Sequence, residues 1–161
     1  MNSYCIFAIC SLALLTSCGT RSPETRTEEP SHAMAMDSPL DRFDQELTTP
    51  QKQLVLKPGQ TVVIPVTVRN LTGLSLISTG RYPITLSYRW FENGKMLPIE
   101  GNRSVLPRPV KPNEQETVNA KVTSPQSGTD LTLRFSLVQE GIAWFFSKGG
   151  QTLDIPTRVE P

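Results

Sequence analysis

Few side chains in this sequence of 161 residues are of a type that does covalent or acid–base chemistry. The one histidine, His32, lies in a polar N-terminal stretch, so a serine–histidine–aspartate arrangement inside a folded domain is not available. Asp130, Glu140 and Asp154 are scattered and do not suggest the carboxylate pair of a glycoside hydrolase. The sequence has neither a cysteine–histidine cluster for zinc nor a glycine-rich phosphate loop. We therefore expect a protein that is not an enzyme and uses no cofactor or metal.

Cys18 is the residue whose neighbours indicate a definite chemistry. It follows an apolar run, residues 4–15, which is shorter than the roughly 20 residues that a membrane-spanning helix needs. The run suits the hydrophobic region of a signal peptide, and Leu15-Thr16-Ser17-Cys18 resembles a lipobox, in which the thiol takes a diacylglyceryl group before cleavage. The sequence therefore predicts a lipoprotein signal peptide over residues 1–17 and lipidation at Cys18. Because no Lys or Arg precedes the run, the alternative is a plain signal peptide or anchor with a chance cysteine.

Lipidation also accounts for the cysteines. Cys5 and Cys10 lie in the segment that cleavage would remove, so the processed chain would form no disulfide and would have no free thiol. Acyl chains, palmitate among them, would make the membrane a partner of the chain. Gly19, in place of aspartate, resembles the sorting signal for an outer-membrane lipoprotein facing the periplasm. The net charge of +1 gives no indication of nucleic-acid binding.

Composition divides the rest of the chain into a tether and a domain. Residues 18–50 are rich in Ser, Thr, Pro, Glu and Asp and too poor in apolar side chains to offset the entropy of ordering. This predicts a lipidated, disordered tether, in which residues 41–47 could form a short helical turn. The folded domain is predicted over residues 51–161.

Short alternating runs fill that domain. Residues 61–68, 84–91, 117–123 and 129–139 each place apolar side chains on one face with a period of two, as half-buried strands do. Asn93-Gly94 predicts a tight hairpin, and the stretch 147–150 predicts another before a last strand over residues 152–159. Pro65 cannot donate to a ladder and should lie at an edge or bulge. The expected fold is all-β: a single antiparallel immunoglobulin-like β-sandwich of about seven or eight strands, with Trp90 in its core.

Several stretches of the domain resemble a known kind of module. They are residues 57–62, 82–90, 106–107 and 137–145. These stretches are similar to an immunoglobulin-like accessory module that bacteria append to enzymes of cell-surface polysaccharide, where the module is not catalytic. The resemblance covers nearly all of residues 54–159, and here the module has no enzyme beside it. It implies a sandwich fold, while such folds host many roles.

A candidate binding surface follows from the aromatic run Trp144-Phe145-Phe146, because three consecutive side chains on a strand cannot all point inward. We expect Arg81, Tyr82, Glu140, Trp144 and Phe146 to form it, with the loop of residues 71–82 beside them. Packing of these rings inside the domain is the alternative. Two functions stay open: a module that binds an envelope polysaccharide or a protein partner, and a structural or assembly lipoprotein that acts by strand-edge pairing.

Overall fold

The structure, a computed structural model, describes residues 35–161. The signal peptide, Cys18, Gly19 and most of the predicted tether lie outside these residues. Ten strands and one 3-10 turn make up the regular structure: β1 Gln45–Thr48, β2 Leu54–Leu56, β3 Thr61–Asn70, β4 Ile84–Glu92, β5 Lys95–Glu100, β6 Ser104–Val105, β7 Gln115–Thr123, β8 Leu131–Gln139, β9 Ala143–Trp144, the 3-10 turn Phe145–Lys148, and β10 Leu153–Val159.

The strands form two sheets. One has the order β1-β3-β7, and the other has the order β2-β10-β8-β4-β5, with β6 paired to β4 and β9 paired to β8. All pairings are antiparallel except that of β2 with β10, which is parallel. The predicted fold class, an all-β immunoglobulin-like sandwich, is confirmed. The strand number exceeds the prediction because β6 and β9, of two residues each, carry no pattern that a sequence can show.

The core lies between the sheets and is built by the alternation that the sequence predicts. Its centre is made by two strands of the larger sheet, whose inward side chains are all at most 2% exposed: Ile84, Leu86, Tyr88 and Trp90 of β4, and Leu131, Leu133, Phe135 and Leu137 of β8. Trp90 is fully buried, as predicted, and its indole nitrogen donates to the Thr123 carbonyl at 3.0 Å. This bond joins the two sheets and leaves the ring's one polar group satisfied.

The folded part of the chain begins earlier than residue 51. Met36, Leu40 and Leu47 are buried in the same core, and residues 45–48 form β1 in place of a helical turn. The reason is the side chain of Gln45, which is fully buried and accepts a hydrogen bond from the Leu137 amide while donating to Ser136 and Gln151. Because its amide takes part in three hydrogen bonds, Gln45 can be buried without an unsatisfied polar group. The composition of residues 18–50, which predicts a tether, does not show this.

Pro65 lies where a missing donor does no harm. It faces Asn119 on β7, while β1 covers β3 only from Thr67 to Asn70, so β3 has an open edge beside Pro65. The Pro65 carbonyl accepts the Thr49 hydroxyl at 2.7 Å on that side. The strand is central in its sheet, yet the prediction of an edge position is correct at this residue.

Candidate functional site

Trp144 and Phe146 lie together on the surface, while Phe145 between them is buried. Gly141, with φ of 75°, turns the chain after β8, and β9 then pairs with Val138 and Gln139. The 3-10 turn that follows directs Phe145 into the core, where it packs edge-on against Phe43 with ring centroids 5.2 Å apart. The rings of Trp144 and Phe146, both only partly exposed, are 5.3 Å apart. The prediction that the three rings cannot all point inward is confirmed. The tight hairpin predicted at residues 147–150 is instead the end of the 3-10 turn and the residues that follow it.

Two arginines contact the Trp144 ring. The guanidinium carbons of Arg89 and Arg103 lie 4.9 Å and 5.1 Å from its centroid, within the range of cation–π attraction. Arg89 lies on the outer side of β4, since its neighbours Tyr88 and Trp90 point into the core. Arg103 comes from the short connection between β5 and β6. The tryptophan side chain is therefore contacted by residues from two other stretches of the chain.

Two carboxylates hold these arginines. Glu140 accepts the Arg103 Nε proton at 2.8 Å, and Glu100 accepts from Arg103 Nη2 at 2.8 Å. Arg103 Nη1 donates to the Ser87 hydroxyl and the Gly101 carbonyl. Glu100 also lies 3.5 Å from Arg89 Nη2. We call the six residues Arg89, Glu100, Arg103, Glu140, Trp144 and Phe146 the arginine–tryptophan surface.

The electrostatics of this surface favour the charged form of Glu100. The hydrogen bond and the charge of Arg103, with a further contribution from Arg89, hold the pKa of Glu100 below its ordinary value. Arg103 is the better satisfied of the two arginines, because its guanidinium has four hydrogen-bond partners. Arg89 shares one carboxylate at the longer distance of 3.5 Å. Arg89 thus has fewer hydrogen-bond partners within the domain than Arg103, and its side chain is 19% exposed.

A second arginine–aromatic pair extends the surface along the sheet. Arg134 on β8 lies directly opposite Arg89 and has its guanidinium carbon 4.5 Å from the Phe91 centroid. Asp154 on β10 accepts two hydrogen bonds from Arg134, at 2.8 Å and 2.6 Å, and this pairing raises the pKa of the arginine. Asp154 therefore offsets the repulsion expected between two like charges on facing positions.

The structure brings together three of the five predicted surface residues. Glu140, Trp144 and Phe146 are in the arginine–tryptophan surface, but Arg81 and Tyr82 form a pair of their own, with the guanidinium carbon 5.2 Å from the ring centroid. Their backbone amides donate to Asp37 and Met36, respectively. The loop that carries them packs against the N-terminal segment, which the sequence predicts to be part of the tether.

Arg89 and Arg103 were not among the predicted site residues. Arg89 could have been found, because the alternation that directs Tyr88 and Trp90 inward leaves it outward, one position from the core. No sequence pattern marks Arg103. It lies outside any strand, and only folding brings it beside Glu140 and Trp144.

The side chains of the arginine–tryptophan surface form ion pairs, hydrogen bonds and cation–π contacts. Both carboxylates are engaged by arginine, and the surface contains no thiol, imidazole or other nucleophile activated by a base. Within residues 35–161, no group of three or more His, Cys, Asp or Glu side chains is arranged to hold a metal ion. No helix among the described residues is long and apolar enough to cross a membrane.

No protein-family model and no curated protein matches this chain. Among solved structures, it is similar to the CARDB domain of a Pyrococcus furiosus protein in complex with di-metal ions, with 15% identity over 73% of this chain and 93% of that one, and a TM-score of 0.37. It is also similar to the sporulation control protein Spo0M of Bacillus subtilis, with 16% identity over 73% of this chain and a TM-score of 0.43. The match covers 50% of the Spo0M chain.

Proposed function

We propose that this chain is a non-catalytic envelope lipoprotein, anchored through Cys18, whose sandwich domain binds a partner at the arginine–tryptophan surface. The observation that carries the proposal is the partly exposed Trp144 ring, held by two arginines and flanked by Phe146. Tryptophan and arginine are enriched among the residues that dominate binding energy at protein interfaces. Holding them in place before binding lowers the entropy that association costs.

A protein partner fits this surface better than a polysaccharide. A sugar binds an aromatic residue by stacking on the face of the ring, and the Trp144 ring already has two guanidiniums about 5 Å from its centre. An acidic side chain of a protein can instead pair with Arg89, whose present carboxylate partner is 3.5 Å away and largely exposed. The module that the sequence resembles serves polysaccharide enzymes, and a polysaccharide ligand is therefore the second outcome that the test below distinguishes.

Strand-edge pairing is the less favoured function, because three of the strands with a free edge are blunted. β3 has Pro65 on its open side and β5 contains Pro98. On β7, side chains already occupy the outward backbone groups: Asn102 donates to the Lys121 carbonyl, and Arg108 to the Gln115 carbonyl. Such features keep an edge from adding a foreign strand.

The anchor is tested by the substitution Cys18→Ser. In the host, the wild-type chain should incorporate labelled fatty acid and be cleaved before residue 18, while the substituted chain should stay unprocessed and unlabelled. Cys10→Ser is the matched control, because Cys10 lies in the segment that would be removed. Fatty-acid label on the Cys18→Ser chain would contradict the assignment.

The binding surface is tested by a photo-crosslinking amino acid placed at position 146 in living cells. We expect a crosslinked protein that is lost when Arg89→Glu is added, whereas the same probe at Val63, exposed on the other sheet, should give none. Truncation of Trp144 to Ala should weaken partner binding by about 30-fold or more, the factor for a hot spot of about 2 kcal/mol. Saturable chemical-shift changes at Trp144 with envelope polysaccharide, and no protein adduct, would instead support the polysaccharide ligand.

A further inference from the structure

The end of the sandwich at which the described chain begins carries an exposed leucine. Leu74 lies in the loop between β3 and β4 and is 51% exposed. It lines a mainly apolar groove together with Ala35, Met36 and Ile77. On its other flank, Leu74 borders a second mainly apolar groove beside Leu40 and Arg42. Leu74 therefore forms a ridge between two apolar grooves, directly beside the point where the chain enters the domain.

The backbone of this ridge is fixed. The Leu74 carbonyl accepts hydrogen bonds from the Asn70 side-chain amide at 2.8 Å and from the Thr72 hydroxyl at 2.9 Å. Asn70 is fully buried, donates also to the Val110 carbonyl, and accepts from the Thr72 amide and hydroxyl. These bonds hold the backbone at Leu74 in the conformation that presents its side chain at the surface. An apolar side chain kept in this position gains free energy only when something outside the domain covers it.

Arg42 borders the ridge, since it lines the second groove beside Leu74; its side chain is 69% exposed and pairs with Asp44. Arg81, in the same loop as Leu74, is exposed and lies over the Tyr82 ring. An apolar tip on a loop that also carries an arginine and a tyrosine matches the layered chemistry of a membrane interface, where acyl chains lie below the headgroups and their phosphates. Aspartates 37, 41 and 44 keep the area from being strongly cationic, so acyl contact rather than charge would supply the attraction.

The position of the chain entry identifies the occupant. Only the 16 residues 19–34 separate the described domain from the proposed acylated cysteine, and a flexible chain of that length has a mean span of about 20–24 Å. We propose that the ridge at Leu74 contacts the bilayer that holds the Cys18 acyl chains, with the leucine at the boundary of headgroups and acyl chains. This inference rests on the anchor of the proposed function and adds an orientation to it.

The contact is weak by itself and depends on the anchor. One half-exposed leucine cannot hold a free protein on a membrane, but a tether raises the local concentration of the bilayer to the millimolar range or above. The lipidated chain should therefore show the contact, and the chain beginning at Gly19 should not bind vesicles. Such an orientation would leave the arginine–tryptophan surface on the side of the domain, open to a partner.

The experiment uses the full lipidated protein in vesicles of phosphatidylethanolamine and phosphatidylglycerol. An environment-sensitive fluorophore is attached to Leu74→Cys, and to Val63→Cys as the matched control, which is 63% exposed near the other end of β3. Vesicles containing brominated lipid report contact with acyl chains, and flotation reports anchoring. We expect both proteins to float and the probe at position 74 to be quenched several-fold more than the probe at position 63.

Equal quenching of the two probes in floated protein would overturn the membrane contact while leaving the anchor intact. A position-74 probe shielded by a second copy or by another protein, and not reached by brominated lipid, would overturn it in the same way. Protein that fails to float would overturn the anchor and the contact together, and the fatty-acid label on Cys18 reports that failure separately.

Discussion

At the scale of single residues, Trp90 is the side chain on which the domain depends most. It is fully buried, it bonds to Thr123 across the sandwich, and its ring lies edge-on to Tyr88 at 6.2 Å. Trp90→Ala should lower the free energy of unfolding by about 3–5 kcal/mol, since it leaves a large cavity. Trp90→Phe keeps most of the ring and should cost less. Urea denaturation of residues 35–161 measures both, and a stable Trp90→Ala protein would contradict the buried position.

Glu100 should titrate at unusually low pH because Arg103 and Arg89 favour its charged form. A carboxylate with a lowered folded-state pKa contributes stability above its unfolded value of about 4.3, and that contribution is lost as pH falls through the folded pKa. The carboxyl is largely exposed, so a direct titration by nuclear magnetic resonance is the suitable measurement. Arg103→Gln should move the midpoint upward, whereas Lys95→Gln, at the far end of β5, should not. An unchanged midpoint in Arg103→Gln would show that the pair does not form in solution.

The residues of the site show how far sequence reasoning reaches. Phe145 could be predicted to face away from Trp144 because adjacent positions of an extended chain face opposite ways. Arg81 and Tyr82 are predicted beside these rings from their position near a strand end; in the structure Arg81 lies over the Tyr82 ring, and residues 36 and 37 bind their backbone. Arg103 could not be predicted, since Ser87, Glu140 and the Trp144 ring, all from other stretches of the chain, help to define its position.

At the scale of elements, the long strands can be predicted from their alternation of apolar and polar residues, whereas β1 cannot. Its inward positions are a glutamine and a leucine. The glutamine is buried only because its side-chain amide makes three hydrogen bonds inside the domain. The same holds for the segment before it, where Gln139 accepts from the Leu40 amide and donates to the Ser38 carbonyl. A prediction from composition rests on apolar content. It therefore predicts a tether for residues 36–48, although hydrogen bonds of buried side-chain amides hold this stretch in the domain.

Gly80 is the residue that lets this segment lie against the loop of residues 71–82. Its φ is 101°, and a methyl group there would lie 2.5 Å from the Met36 nitrogen. Gly80→Ala should release residues 36–40 and cost about 1–3 kcal/mol. Faster amide hydrogen exchange at Met36 and Leu40 is the measurement. Gly73→Ala, with nothing within 4 Å of the added carbon, is the matched control and should leave exchange unchanged. Equal effects of both substitutions would refute the proposed clash.

At the scale of the whole molecule, the boundary of the domain can be tested by fragments. Residues 35–161 should fold cooperatively and be insensitive to reductant, as they contain no cysteine. Residues 51–161 lose β1, the Gln45 bonds and the burial of three apolar side chains, each of which is worth about 1.5–3 kcal/mol. That sum approaches the stability of a typical domain, so the shorter fragment should be unfolded or aggregated. Circular dichroism during urea titration decides, and equal stability of the two fragments would place β1 outside the cooperative unit.

The attachment of residues 36–44 also has a mechanical consequence. If the chain is anchored at one end and bound to a partner at Trp144, any tension between membrane and partner enters the domain at Ala35. The first bonds to bear it are those of Met36 with Thr79 and Tyr82, followed by the Leu40 amide with Gln139. These would break one after another, as in a zipper, before β1 and the core carry load. The segment would then lengthen by about 3.3–3.6 Å per residue released, and so relieve a pull without unfolding the sandwich.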